Sequence, residues 1–298
     1  MGNQSFELNV TITVKTIKSI KPHSSCINSI IRLADNRIAT CSSDKSIKIY
    51  DSKFKVQINI LDNISDVISM AQIDNGNIVS ITNKNVLMQF ELSKDSYKQI
   101  YSIEQEPLYD LPKICSLSEN RFEIQYQSLI AVMKGADKEP INLFMNREYE
   151  LTSMLYIRDK EILICVSNET TYMFNMSNYQ QINVSKQNVL CTAGNSIIQI
   201  SKEILLVGGY NKITKLNFYT NKIIEKGYKG YVYSFMKMKF GKVLCGCDNG
   251  RFGVYNEKSN DLVLLATEKK VNITNLLSID DSSFIMGASD GSISIYSY

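Results

Sequence analysis

The chain has no tryptophan and a single histidine, His23, among its 298 residues. One histidine excludes metal sites and pH switches that need several, and it disfavours enzyme mechanisms built on a His-containing triad. We also find neither a GxxxxGK[ST] nor a GxGxxG motif, so nucleotide binding has no support. The sequence therefore predicts a protein without a cofactor, a resident metal or catalytic residues.

Arginine is also scarce, with six residues in all, and the 33 basic and 30 acidic side chains leave a net charge of +3. A nucleic-acid-binding face needs clustered basic residues, and none is present. No apolar run is long enough to span a bilayer, and the N-terminus lacks the features of a signal peptide. Seven cysteines without CxxC spacing indicate reduced thiols, so we expect a cytoplasmic or nuclear protein.

What the chain does contain is a repeat of short strands separated by turn residues. The clearest units begin at His23 and, near the end of the chain, at Ile273, where the two tight turns are Asp44-Lys45 and Asp290-Gly291. Between them the pattern recurs with turns at Lys84-Asn85, Asn211-Lys212 and Asn249-Gly250 and near Asn168. An apolar residue at the end of each third strand recurs about every 41 residues. These residues are Tyr50, Phe90, Met133, Phe174, Leu216, Tyr255 and Tyr296.

Seven units of this length predict an all-β fold, a seven-bladed β-propeller of four-stranded antiparallel blades. The last unit lacks a fourth strand, whereas residues 7–17 form a spare strand with alternating side chains. We expect this N-terminal strand to be the outer strand of the last blade, which closes the ring. The whole chain, residues 1–298, is predicted to be one domain.

These units resemble the WD-repeat family of β-propellers. In that family a histidine, a serine or threonine, an aspartate and a tryptophan form a hydrogen-bonded network. His23, Ser42, Asp44 and Tyr50 occupy those four positions, with tyrosine in place of tryptophan. The resemblance implies a structural role for His23, and most other units have lost the histidine.

The resemblance also implies a non-enzymatic scaffold, or a subunit of a multiprotein complex, that binds other proteins or peptides. Partners of the family most often use the top face, which is built by the loops before each inner strand and between the second and third strands. Acidic and aromatic side chains there suit a peptide that bears Lys or Arg. The predicted contact residues are Asp66, Asp110, Glu150, Tyr126, Tyr210, Tyr231 and Asp248.

Two alternatives remain open at this point. Some substrate receptors of cullin-type ubiquitin ligases carry a Trp-Asp-x-Arg motif, and the sequence from Tyr50 to Lys53, Tyr-Asp-Ser-Lys, is a conservative version of it. The third candidate is an enzyme that uses the central channel, which the lone histidine argues against.

Overall fold

A computed structural model gives the architecture of most of the chain. It describes residues 14–51, 53–61, 65–93, 96–104, 112–125, 129–137, 139–145, 151–167, 170–186, 196–266 and 270–298. Within these ranges the chain forms 27 β-strands and two short 3₁₀ turns, Arg158–Lys160 and Lys239–Gly241, and no α-helix. The predicted all-β class is confirmed.

The strands are arranged as seven antiparallel blades of four strands. Blade 1 contains β2 (Ile27–Arg32), β3 (Ile38–Ser42), β4 (Ser46–Tyr50) and β5 (Val56–Leu61). Blade 2 contains β6 (Val67–Gln72), β7 (Ile78–Thr82), β8 (Val86–Leu92) and β9 (Tyr97–Glu104). Blade 3 contains β10 (Lys113–Ser116), β11 (Arg121–Gln125), β12 (Leu129–Lys134) and β13 (Asn142–Met145). Blade 4 contains β14 (Leu151–Ile157), β15 (Ile162–Ser167), β16 (Thr170–Asn175) and β17 (Gln180–Lys186).

Blades 5 and 6 share one long strand, β21 (Ile223–Lys237). Its first part is the outer strand of blade 5 and its second part is the inner strand of blade 6. Blade 5 is completed by β18 (Ser196–Gln199), β19 (Ile204–Gly208) and β20 (Tyr210–Asn217), and blade 6 by β22 (Lys242–Cys247), β23 (Arg251–Asn256) and β24 (Leu262–Ala266). Blade 7 contains β25 (Ile273–Ser278), β26 (Ser283–Ala288), β27 (Ile293–Ser297) and, as its outer strand, β1 (Lys15–Ile20).

The blades close into a ring. The inner strand of each blade contacts the inner strand of the next, and β25 of the last blade contacts β2 of the first. Strand β1 pairs with β27 from Lys15, opposite Ser297, to Ile20, opposite Ile293. The predicted closure by an N-terminal strand is therefore present, but the strand ends at Ile20 rather than at residue 17. Residues 7–13 of the predicted strand lie outside the described residues, and a single domain over residues 1–298 stays a prediction.

The second strands are buried on both faces because each lies between two neighbouring blades. In β3, Ala39 and Cys41 pack toward blade 2, whereas Ile38 packs with Ile285 and Ile293 of blade 7. Strands covered on both sides tend to have near-continuous apolar sequences, as in Ile-Leu-Leu-Val-Gly of β19. The blade seams are thus the hydrophobic core of the protein.

The tight turns follow from residues that tolerate a left-handed backbone. Lys45, Asn85 and Asn211 have φ values of 68°, 58° and 64°, and the Asn249-Gly250 turn has two positive values. Asn and Gly adopt this conformation at low cost. Gly291 is required for a second reason: a Cβ atom there would lie 2.3 Å from the carbonyl oxygen of His23.

Five inner strands carry a β-bulge at their second residue, in blades 1, 2, 4, 6 and 7. The repeat pattern did not predict these bulges. In blade 1 the bulged residue is Asn28, whose side chain donates to the carbonyl oxygen of Val67 in blade 2, at 2.8 Å. In blade 7 the hydroxyl of Thr274 donates to the carbonyl oxygen of Ile27 in blade 1, at 2.7 Å. In blades 1 and 7 the bulges therefore aim polar side chains across the seams, near the top of the ring.

The seam between blades 3 and 4 contains a polar column within its apolar packing. Along β11, one face carries Phe122 and Ile124, which pack on blade 2. The other face carries Arg121, Glu123 and Gln125. Arg121 is paired with Glu161 at 2.9 Å, and Gln125 donates to the carbonyl oxygen of Leu151. Glu123 is fully buried, and neither carboxyl oxygen has a hydrogen-bond partner among the described residues.

Burial raises the pKa of Glu123 well above its ordinary value, so the folded protein holds this carboxyl protonated where the unfolded chain has released the proton. The free energy of unfolding should therefore fall as the pH rises above the ordinary pKa of glutamate. We predict that the free energy of unfolding, measured by urea denaturation, falls less between pH 5 and pH 8 in Glu123→Gln than in the wild type. Glu119→Gln, at a largely exposed position, is the control. An unchanged pH profile in Glu123→Gln contradicts the prediction.

Candidate functional site on the top face

The top face carries one intact polar network of the kind that the sequence predicts, in blade 1. His23 is buried, and its Nδ1 lies 2.9 Å from a carboxylate oxygen of Asp44 in the tight turn. Its Nε2 lies 2.8 Å from the hydroxyl oxygen of Thr40, which is 3.4 Å from the hydroxyl of Tyr50. Ser42, predicted for the position that Thr40 occupies, instead donates to the carbonyl oxygen of Ser25 and accepts from the amide of Asp44.

The protonation of this network follows from its geometry. Burial, which outweighs the neighbouring Asp44, lowers the pKa of His23, so the ring is neutral at pH 7. Since a carboxylate only accepts, Nδ1 carries the proton and donates to Asp44, and Nε2 accepts from Thr40. Burial acts to raise the pKa of Asp44, but hydrogen bonds from Ser46, His23 and the Ser24 amide hold it below its ordinary value. Each ring nitrogen of His23 is thus hydrogen-bonded within blade 1, and the ring links the tight turn to strand β3.

Blade 6 replaces this network with a different one. Tyr228 stands where blade 1 has its histidine, and its hydroxyl donates to Asp248 at 2.7 Å. The guanidinium of Arg251 binds the same carboxylate at 2.7 Å and lies over the ring of Tyr228. Gly230 permits this arrangement, because a Cβ atom there would lie 2.5 Å from both carboxylate oxygens of Asp248. Asp248 is therefore held in a compensated ion pair rather than presented as an open negative charge.

Next to this network three tyrosine rings form a row across the top of blades 5 and 6, here called the tyrosine ladder: Tyr210, Tyr231 and Tyr233. Tyr210 and Tyr231 are cross-strand neighbours with ring centroids 4.7 Å apart, and Tyr231 and Tyr233 are stacked at 5.8 Å. Tyr210 is 43% exposed, and the other two rings are half-buried. Large, partly exposed aromatic rings held rigid by one another are well suited to bind a partner.

Asparagine side chains connect the tyrosine ladder to the blades on either side. Asn211 of blade 5 accepts from the amide of Gly230, at 3.2 Å. Asn272, which precedes the inner strand of blade 7, accepts from the amide of Asn249 at 3.2 Å and donates to the hydroxyl of Tyr233 at 3.4 Å. The ladder is therefore anchored to three successive blades.

The structure brings together three of the seven predicted contact residues, Tyr210, Tyr231 and Asp248. Tyr233 and Asn272 belong to the same cluster, and Tyr233 was not predicted because it lies inside the inner strand, at the bulge. Asp66 is half-buried at the top of blade 2, and its carbonyl oxygen accepts from the amide of Asn83. Asp110, Glu150 and Tyr126 lie outside the described residues, so their place in the top face stays a prediction.

Comparison with known proteins agrees with this geometry. Residues 14–51 match the family model of the WD domain, G-beta repeat. The match covers β1 to β4, which are the outer strand of blade 7 and the first three strands of blade 1. The chain is a β-propeller with a match to the WD repeat over residues 14–51. No curated protein matches its sequence.

WD-repeat proteins are generally non-enzymatic scaffolds that bind other proteins, so the family supports a general role in protein interaction. The described residues include no group of three or more His, Cys, Asp or Glu side chains that could hold a metal ion. Across that same part of the WD-repeat chain, no helix has the length and apolar character needed to cross a membrane.

The blade 1 network gives a stability prediction. Asp44→Ala removes the carboxylate acceptor of the buried Nδ1–H of His23 and leaves only the Ser46 hydroxyl, at 3.1 Å, near it. This loss should lower the free energy of unfolding by about 1–3 kcal/mol. Asp159→Ala, at an exposed position in a bottom loop, should change it by less than about 0.5 kcal/mol. Urea denaturation at pH 7 measures both. Equal effects of the two substitutions would show that the network does not stabilise the blade.

Proposed function

We propose that this WD-repeat protein is a scaffold that binds a partner peptide through the tyrosine ladder on its top face. The observation that carries the proposal is the row of three partly exposed rings in mutual contact at the junction of blades 5 and 6. A row of aromatic faces offers an extended peptide several contacts at low entropic cost, because the rings already hold one another in place.

The chemistry of the site favours a partner that bears Lys or Arg. A cation over an aromatic face contributes about 0.5–2 kcal/mol, depending on how far it is desolvated. Asp248 adds little long-range attraction, because Arg251 and Tyr228 already bind its carboxylate. In this proposal the tyrosine ladder, rather than the acidic residues, supplies most of the binding energy. The predicted site thus depends mainly on aromatic contacts and less on negative charge.

The Tyr-Asp-Ser-Lys sequence, on which the alternative of a ubiquitin-ligase substrate receptor rests, has a structural role in this chain. One carboxylate oxygen of Asp51 accepts from the amides of Lys53 and Lys55, both at 2.9 Å, and so closes the loop between β4 and β5. The carbonyl oxygen of Lys53 accepts from the side chain of Lys18. These residues serve the loop itself, so the receptor function has no specific observation in its favour.

The test compares two exposed faces that carry equally exposed tyrosines. We predict that Tyr210→Ser combined with Tyr231→Ser loses a stoichiometric partner in tagged pull-downs from the source cells, and weakens its titrated affinity by about tenfold or more. Tyr219→Ser is the matched control, since Tyr219 is 47% exposed on the bottom face. Equal melting temperatures of the variants would show that folding is intact.

The partner's own sequence provides the second readout. A peptide from the captured partner should lose binding when its Lys and Arg residues are replaced by Ala, with a weak dependence on salt. Charge reversal by Asp66→Lys, Asp110→Lys and Glu150→Lys separates the two versions of the hypothesis: we expect a smaller loss than from the tyrosine variant. Retention of the partner by the tyrosine variant, together with its loss in Tyr219→Ser, would place the site on the bottom face and refute the proposal.

A further inference from the structure

The outer strand of blade 6 is the most apolar outer strand of the ring. Strand β24 has the sequence Leu-Val-Leu-Leu-Ala and contains no charged or amide side chain. Each of the other outer strands contains Lys, Glu, Gln or Asn, as in Lys-Thr-Ile-Lys-Ser-Ile of β1. Charged residues, lysine above all, keep a sheet edge from pairing with another chain, and β24 lacks this protection.

The side chains of β24 are exposed on both faces of the blade. A Cβ atom at Gly253 of β23 would lie 2.7 Å from Leu262 and 3.5 Å from Leu264, so these two leucines share one face. Val263 lies on the opposite face. Leu264 is 44% exposed and Val263 is 60% exposed. Among the described residues β24 pairs only with β23, so an apolar strand forms the outer edge of this sheet.

The backbone groups of β24 alternate between its two edges. The amide of Asn256 donates to the carbonyl oxygen of Asp261, at 2.8 Å, and the register of β23 with β24 continues from this pair without a bulge. Because every second pair of an antiparallel ladder exchanges hydrogen bonds, Val263 and Leu265 bond to β23. The backbone N–H and C=O groups that point outward, away from β23, therefore belong to Leu262, Leu264 and Ala266.

This alternation makes β24 complementary to a second copy of itself. When two copies run antiparallel with Leu264 opposite Leu264, the outward backbone groups of both strands meet and can exchange hydrogen bonds. A shift by one residue would set outward groups against inward ones. The chosen register also places Leu262 opposite Ala266 and Val263 opposite Leu265. Every cross-strand pair is then apolar, and no two like charges oppose each other.

We propose that two copies of the protein form a symmetric dimer in which β24 of one copy pairs antiparallel with β24 of the other, with Leu264 at the two-fold axis. A two-fold contact of this kind is closed, because each copy covers the exposed edge of the other and no further edge of the same kind remains. The contact of a single strand pair is small, so the dimer is reversible and its fraction rises with protein concentration.

Sedimentation velocity of the full-length protein over a wide range of concentrations tests the proposal, which concerns the rim and is independent of the top-face site. We expect the wild type to change from monomer to dimer as its concentration rises. Leu264→Lys should weaken the dimer by at least about tenfold, because two lysines would then oppose each other at the axis. Leu143→Lys, at 48% exposure on the outer strand β13, is the control and should dimerise like the wild type.

A pair of opposite charges separates loss of the contact from loss of folding. Leu264→Glu should also be monomeric, because two glutamates would oppose each other. An equimolar mixture of Leu264→Lys and Leu264→Glu should restore a dimer with one copy of each, since lysine then lies opposite glutamate. A wild type that stays monomeric at every concentration, a dimer that Leu264→Lys leaves unchanged, or a mixture that stays monomeric would each overturn the proposal.

Hydrogen exchange resolved by residue checks the register within the dimer. The outward amides of Leu262, Leu264 and Ala266 should exchange about tenfold more slowly at high protein concentration than at low concentration. The amides of Val263 and Leu265 already bond to β23, so their exchange should not depend on concentration. Protection of the outward amides in the monomer would overturn the proposal, because another strand would then cover the edge.

Discussion

The packing of each blade against both of its neighbours is the constraint on which the rest of the molecule depends. The pairing of β1 with β27 places the N-terminal strand in the last blade, and β25 contacts β2, so each blade packs between two neighbours. Ring closure removes the open seam that seven separate sheets would leave. It also fixes the loops of successive blades side by side, which is what allows a site to extend over three of them.

Within that ring, the polar side chains at the top show how a repeat can change its chemistry and keep its shape. Blade 1 satisfies a buried ring with Asp44 and Thr40, whereas blade 6 uses a tyrosine, Asp248 and an arginine. In both arrangements the carboxylate accepts several hydrogen bonds, but only in blade 6 does a cation balance its charge. The replacement of histidine by Tyr228 brings an additional aromatic ring into blade 6, next to the tyrosine ladder.

The fold could be predicted in large part from the sequence. The period of about 41 residues reflects which positions are buried, and turns such as Asp290-Gly291 reflect the local backbone conformation. Both properties depend on residues close together in the chain. The bulges could not be predicted, because they depend on pairing between strands. Tyr233 therefore joins the ladder from inside a strand. The contact of Thr40 rather than Ser42 with His23 is a choice between residues on one face of β3, which the sequence does not decide.

The same distinction applies to charge. The amide of Asp248 donates to the carbonyl oxygen of Tyr231, but position in the repeat could not show that Arg251 binds the carboxylate. Likewise nothing in the sequence of β11 distinguishes the buried Glu123 from an exposed glutamate, because the seam that buries it is completed by blade 4. Whether a charged side chain is paired or buried depends on residues elsewhere in the fold, so it cannot be read from the sequence of one strand.

The most direct test of the account is a hydrogen-exchange footprint of the protein with and without its captured partner. If the tyrosine ladder is the binding site, protection will appear in residues 208–212, 228–234, 247–251 and 271–273, in three adjacent blades. The bottom loops at residues 158–161 and 218–222 will exchange at the same rate in both states. Protection of the bottom loops or of the outer strands, with the ladder unchanged, would contradict it.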